Sequence, residues 1–148
     1  MSTRSTTHFV YNESDGAHNA AIIYRHTDGY PEGAGTDIYR FFEDVKSQTN
    51  DTRFGDPSYL AAKYVVWLAD QFAYSYDFNG KEMKKVKKNM LDFLSVGVCS
   101  GDPGDIEYRY TVNCGKMDED GYPVVTCKSL YGAGAGMVEI PRPEKEAA

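Results

Sequence analysis

Residues 22–35 read IIYRHTDGYPEGAG. An apolar pair leads into Tyr24-Arg25-His26, Asp28-Gly29 turns the chain, and Pro31, Gly33 and Gly35 punctuate a loop. A helical pattern begins directly afterwards. In 37–48, Ile38, Phe41, Phe42 and Val45 recur at i, i+3, i+4 and i+7, which is one face of a helix. The stretch is therefore a strand-to-helix junction, with Thr36 or Asp37 as candidate helix cap.

Upstream, 8–12 (HFVYN) and 20–26 (AAIIYRH) flank Asp15-Gly16, a dipeptide that favours a type I′ hairpin. A two-residue turn there sets Val10 opposite Ala21 and His8 opposite Ile23, while Asn19 leaves a longer turn open. Downstream, Asp56 precedes Pro57, a favoured helix start because proline has no N–H to satisfy. The helix expected over 57–74 is apolar almost all round, interrupted by Ser58, Lys63, Asp70 and Gln71. Such a helix is buried on more than one side, under the sheet or in an oligomer interface.

Asn79-Gly80 breaks that pattern. Residues 81–91 (KEMKKVKKNML) read as a third, short helix with Met83, Val86 and Met90 inward and Lys81, Lys84, Lys85 and Lys88 on the opposite face. Then 93–100, 106–114 and 122–131 read as a three-stranded meander. Tyr108, Tyr110, Val112 and Cys114 alternate with Arg109, Thr111 and Asn113, giving one buried and one wetter face. A two-residue loop at Asp120-Gly121 sets Cys114 opposite Cys127 and Tyr110 opposite Tyr131. A three-residue loop with a bulge at Gly121 separates the two thiols instead.

The expected fold is α+β: an antiparallel sheet of about five strands, the N-terminal hairpin plus the C-terminal meander, with two or three helices on one face. A single domain covers 1–140, and the charged, Pro-rich tail 141–148 is expected to fray.

The 148 residues are 41% hydrophobic and 26% charged, an ordinary globular composition. The net charge of −6 argues against general nucleic-acid binding, whose affinity comes from neutralising phosphates, and favours basic partners. Tyr is abundant at 12 residues, with 7 Phe and 1 Trp, and tyrosine serves cores and interfaces equally well. The N-terminus lacks the apolar core of a signal peptide, and no apolar run is long enough to span a membrane. Three Cys (Cys99, Cys114, Cys127) without a signal peptide fit free thiols in a reducing cytosol, so a cytoplasmic protein is expected, while a Cys114–Cys127 bond stays open.

Candidate sites follow from residue type. Tyr24, Arg25, His26, Asp28, Tyr30 and Glu32 concentrate polar and aromatic groups at the junction, and an Arg beside free loop N–H groups can hold a phosphate or carboxylate. The bland alternative is a turn whose Arg25 and His26 satisfy loop carbonyls. His26 with Asp28 and Glu32 is a thinner metal set, without the spacing of a known zinc motif. No GxSxG motif is present and no histidine is identifiable as partner to a cysteine, so no catalytic residue, metal or cofactor is assigned. The run Gly132-Ala-Gly-Ala-Gly136 leads into Met137-Val-Glu-Ile-Pro141 rather than a helix and reads as a flexible exit, not a phosphate loop. The lysine face of 81–91 reads as solvated, with docking to an acidic surface as the alternative. The Tyr108, Tyr110 and Tyr131 stripe reads as sheet core.

YRHTDGYPEGAG at 24–35, with DIEYRYTV at 105–112, resembles a group of small phage and prophage proteins of uncharacterised function. The resemblance covers these two motifs and their spacing, and it carries over no catalytic residue. It implies a binding protein of phage type in the cytoplasm of the host bacterium. Such a protein antagonises a host function, as an anti-defence factor acting on a host protein or sequestering a nucleotide signal. A homo-oligomer is expected from the two-sided apolar helix. The other readings are a small phosphoester or nucleotide hydrolase using His26 with Asp28 or Glu32, and a structural or assembly protein.

Overall fold

The computed structural model describes residues 3–12, 18–79, 82–93, 95–131 and 135–143. Strands β1 (Ser5–Tyr11) and β2 (His18–Arg25) lead through one π-helical turn, Pro31–Gly35, into α1 (Thr36–Gln48) and then α2 (Pro57–Phe72). A small hairpin follows, β3 (Tyr74–Asn79) and β4 (Glu82–Lys87), then a short α3 (Met90–Phe93). Strands β5 (Val96–Cys99), β6 (Tyr108–Met117), β7 (Pro123–Ser129) and β8 (Gly136–Val138) complete the chain. The main sheet has six strands in the order β5-β2-β1-β6-β7-β8, and β3-β4 form a separate two-stranded sheet. The fold is α+β, and the main sheet is antiparallel except for the parallel pair β1–β6.

Strand alternation divides the main sheet into two faces. Phe9, Ile23, Tyr110, Val112, Cys114 and Cys127 share the inner face and pack with the buried faces of α1 and α2. From α1 come Ile38, Phe41, Phe42 and Val45, the four positions that the helical period picks out. From α2 come Leu60, Ala61, Tyr64 and Leu68. The α2 start is as expected: the Asp56 carboxylate accepts from the Tyr59 N–H at 3.3 Å, with Pro57 in the first turn. On the outer face, Asp102 from the β5–β6 loop pairs with Arg109 and lies 3.7 Å from His8 Nε2.

Several expectations are corrected. Residues 82–87 are a strand, not part of a third helix. YSYDFN is rich in residues that suit a pleated strand, and β4 pairs with it antiparallel, in a register that sets Phe78 opposite Met83 and Asp77 opposite Lys84. Lys84 and Lys85 therefore lie on β4, and Lys81 is outside the described residues. β5 does not join β6 in a meander; it lies beyond β2, pairing Ile23 with Val98. The C-terminal meander is β6-β7-β8 instead, so the end of the glycine run enters a strand at Gly136.

Both hairpin registers also differ. β1–β2 pairs His8 with Ile22 and Phe9 with Ala21, then shifts at a bulge so that Val10 meets Asn19. The Asp15-Gly16 turn lies outside the described residues. In β6–β7, Tyr110 faces Cys127 rather than Tyr131, and Cys114 does not face Cys127. The cause is the longer of the two turns considered. Gly121 donates its N–H to Asp118 O at 3.0 Å and sits at φ +80, while Asp118 donates to Tyr122 O at 2.7 Å. A further irregularity between Asn113 and Met117 moves the register again. All three cysteines are free thiols.

The first residues of the C-terminal tail are tied down. Pro141 O accepts from Thr36 Oγ1 at 2.7 Å. Arg142 stacks over the Tyr39 ring at 4.3 Å and pairs with Asp118 and Asp120 at 2.9 and 2.5 Å. Among the described residues, no helix is long and apolar enough to cross a membrane.

Candidate functional site

At the end of β2, alternation sends Tyr24 and His26 to the outer side and Arg25 inward. Tyr24 Oη and His26 Nδ1 form a 2.8 Å hydrogen bond. The His26 N–H donates to Ser95 O at 3.0 Å, which fixes the end of β2 against the segment entering β5. Both side chains are half-buried.

Arg25 is 4% exposed. Its Nε donates to Thr27 O at 2.8 Å, and its Nη1 donates to Asp37 Oδ2 at 2.9 Å. The guanidinium also lies 5.1 Å from the Phe72 ring centroid. One side chain thus links β2, the junction, the first turn of α1 and the end of α2. Asp37 receives a second donor, Arg40, at 3.1 Å. The sequence marked Asp37 as a cap; the structure gives it to Arg25, and Thr36 spends its hydroxyl on carbonyls.

The turn itself is tightly specified. Asp28 adopts φ +53, the left-handed region that a non-glycine residue enters only when its surroundings hold it there. Its carbonyl accepts from the Ala34 N–H at 2.8 Å, Gly33 donates to Tyr30 O at 2.9 Å, and Gly29 donates to Thr3 O at 2.9 Å. Tyr110, from the sheet, donates its hydroxyl to Gly29 O at 2.7 Å. Glycine is required twice. A Cβ on Gly29 would lie 2.8 Å from Thr3 O, and one on Gly33 would lie 2.4 Å from Asp28 O.

On this frame Asp28, Tyr30 and Glu32 are exposed. Tyr30 donates its hydroxyl to Asp28 Oδ1 at 3.2 Å. The Asp28 charge, then that hydrogen bond, raises the Tyr30 phenol above its ordinary pKa, so Tyr30 stays neutral at physiological pH. The outward surface is therefore a neutral aromatic ring between two carboxylates.

The six junction residues divide accordingly. Tyr24 pairs with His26, Asp28 pairs with Tyr30, Glu32 stands beside them, and Arg25 turns away into the core. Among the described residues, His26 makes no hydrogen bond to Asp28 or Glu32, and no three His, Cys, Asp or Glu side chains are placed to share a metal ion. The tyrosine stripe also divides: Tyr110 is fully buried and Tyr131 is exposed.

Sequence reasoning missed the acceptors that take Arg25, namely Asp37 and Thr27 O, and the Phe72 ring beside them. Asp37 lies twelve residues away across a turn, a separation that no helical or strand period encodes. It also missed a groove between α1 and α2 of about 480 Å³, with Phe41, Val45 and Trp67 among its lining residues. The signal for that groove was the all-round apolarity of α2. No protein-family model, curated protein or solved structure matches the chain.

Proposed function

We propose that this protein works by binding rather than by catalysis, and that the junction displaying Tyr30, Asp28 and Glu32 is where it meets a protein partner. The observation that carries the reading is the Asp28–Ala34 turn. The left-handed aspartate accepts from the Ala34 N–H, and its neighbour Gly29 is tied to Thr3 O and to the Tyr110 hydroxyl, so the display is rigid before any partner arrives. Such pre-organisation lowers the ordering entropy that binding must overcome. Tyrosine is enriched among residues that dominate interface energies.

The same geometry favours a protein partner over a nucleotide. The cation that a phosphate would draw on at this junction is Arg25, whose fork is buried and engaged with Asp37 and Thr27 O. Two exposed carboxylates on a chain of net charge −6 suit a basic surface instead. His26 Nδ1 bonds to Tyr24, and among the described residues His26 makes no hydrogen bond to Asp28 or Glu32, the carboxylates that the hydrolase reading needs. Taken with the resemblance to small phage proteins, the reading is of a phage-type factor in the bacterial cytoplasm. It antagonises a host protein, as an anti-defence factor does, and acts as a homo-oligomer.

Two substitutions test the placement. Tyr30→Ala and Glu32→Lys are each expected to weaken the complex about tenfold or more, by calorimetry against the purified partner. Their urea stabilities should stay within about 0.5 kcal/mol of the parent, because both side chains are exposed. Affinity unchanged in both variants would remove the junction from the interface.

A further inference from the structure

The helix α2 was expected to be buried on more than one side, and one stripe of it is left exposed among the described residues. Tyr59, Ala62 and Val66 recur at i, i+3 and i+7 along its outer stripe. Tyr59 is 57% and Val66 70% exposed. Beside them opens the α1–α2 groove. Its indole wall is fixed, because Trp67 Nε1 donates to Asp44 Oδ2 at 2.7 Å. A rigid apolar wall next to an exposed apolar stripe is the surface of a helix that lacks a partner.

The charges on this stripe identify the occupant. Lys63 and Asp70 both line the groove, and among the described residues neither forms an ion pair within the chain. They are seven residues apart, two helical turns or about 10 Å. Their midpoint falls between Val66 and Trp67. A two-fold axis through that midpoint lays α2 antiparallel on its copy, with Lys63 against the partner's Asp70 and Asp70 against the partner's Lys63. Val66 then packs at the axis, and the small Ala62 lets the helices approach. Such an arrangement is isologous, the commonest way for a chain to pair with itself. A foreign partner would not need opposite charges on either side of Val66, the more exposed of the two exposed large apolar residues of the helix.

We infer that the outer face of α2 binds a second copy of this chain, as an antiparallel helix pair about an axis near Val66. The inference rests on the oligomeric part of the reading above and not on the junction, none of whose residues lines the groove.

The test is sedimentation velocity of the full chain over about 1–100 μM, with circular dichroism to confirm folding. The parent should dimerise within that range. Val66→Glu, at an exposed helical site that tolerates a good helix former, should weaken dimerisation at least about tenfold. Lys63→Asp should weaken it about tenfold by setting like charges opposite each other twice, and Lys63→Asp with Asp70→Lys should restore it to within about threefold of the parent. A parent that stays monomeric at every concentration overturns the inference and leaves the face to a different protein. Dimers indifferent to Val66→Glu overturn it too. Failure of the double reversal to restore what the single one lost contradicts the antiparallel geometry. None of these results bears on the Tyr30 and Glu32 measurements, so the two readings can fail separately.

Discussion

Replacing Arg25 by methionine should destabilise the fold by about 3 kcal/mol, measured by urea denaturation at neutral pH. Methionine keeps most of the volume but removes the donors that serve Thr27 O and Asp37. The Asp37 side chain is only 19% exposed, so it would remain desolvated with Arg40 as its remaining pair. Breaking a buried pair from one side leaves Asp37 with only the exposed Arg40 to compensate it, which costs more than the pair contributes. Arg25→Met with Asp37→Leu should therefore recover part of the loss. Arg25→Lys should fall between, since an ammonium cannot reproduce the two-directional fork. The experiment also separates scaffold from contact surface. If Arg25→Met abolishes partner binding while stability stays within about 0.5 kcal/mol, the guanidinium touches the partner and the core assignment is wrong.

Alkaline pH should have the second large effect. Burial pushes the Cys114 thiol up from 9.0 to about 12 and the Cys127 thiol to about 11. Burial likewise raises the Tyr110, Tyr64 and Tyr39 phenols above their ordinary value of 10.0. The sign follows from linkage: the folded chain holds these protons while the unfolded chain releases them near pH 9 for thiols and 10 for phenols. Their contribution is complete below about pH 9 and is lost as pH rises through the thiols' folded range of about 11 to 12. The two thiols alone should remove on the order of 5 kcal/mol by pH 11, with the phenols adding to it above pH 10. Melting temperatures at pH 8, 9.5 and 11 should fall progressively. A Cys114→Ala, Cys127→Ala double variant should start lower and fall less between pH 9 and 10. A melting temperature flat to pH 11 would contradict the burial of these groups.

The parts of this fold legible in the sequence are the ones written locally. The spacing of Ile38, Phe41, Phe42 and Val45 marks the buried face of α1, and Asp56-Pro57 marks the start of α2. Alternation at Tyr24, Arg25 and His26 gives the sides those residues take. Gly121 carried the information that its turn is the longer kind, as one of two readings. What sequence reasoning missed is non-local or doubly periodic. The parallel pairing of Thr7 with Tyr110 joins segments about a hundred residues apart, and no pattern within either strand names its neighbour. The same holds for β5 choosing β2. In 81–91, Lys, Met and Val are spaced so that they satisfy a helical period, and the strand emerges only because 74–79 offers a partner across Asn79-Gly80. At the junction, the residue types and the turn were legible. The burial of Arg25 was not, because its acceptors come from the far side of the turn.

A photo-crosslinking amino acid in place of Tyr30, in protein expressed in a bacterial host, tests the binding surface most directly. The account predicts a crosslink to a host protein, mapped to a basic surface of that protein and lost when Glu32→Lys is added. The same label at Met137, exposed on the outer face near the far sheet edge, should give none. A crosslink from Met137 with none from Tyr30 would contradict the account, as would a retained nucleotide with no protein captured at either position.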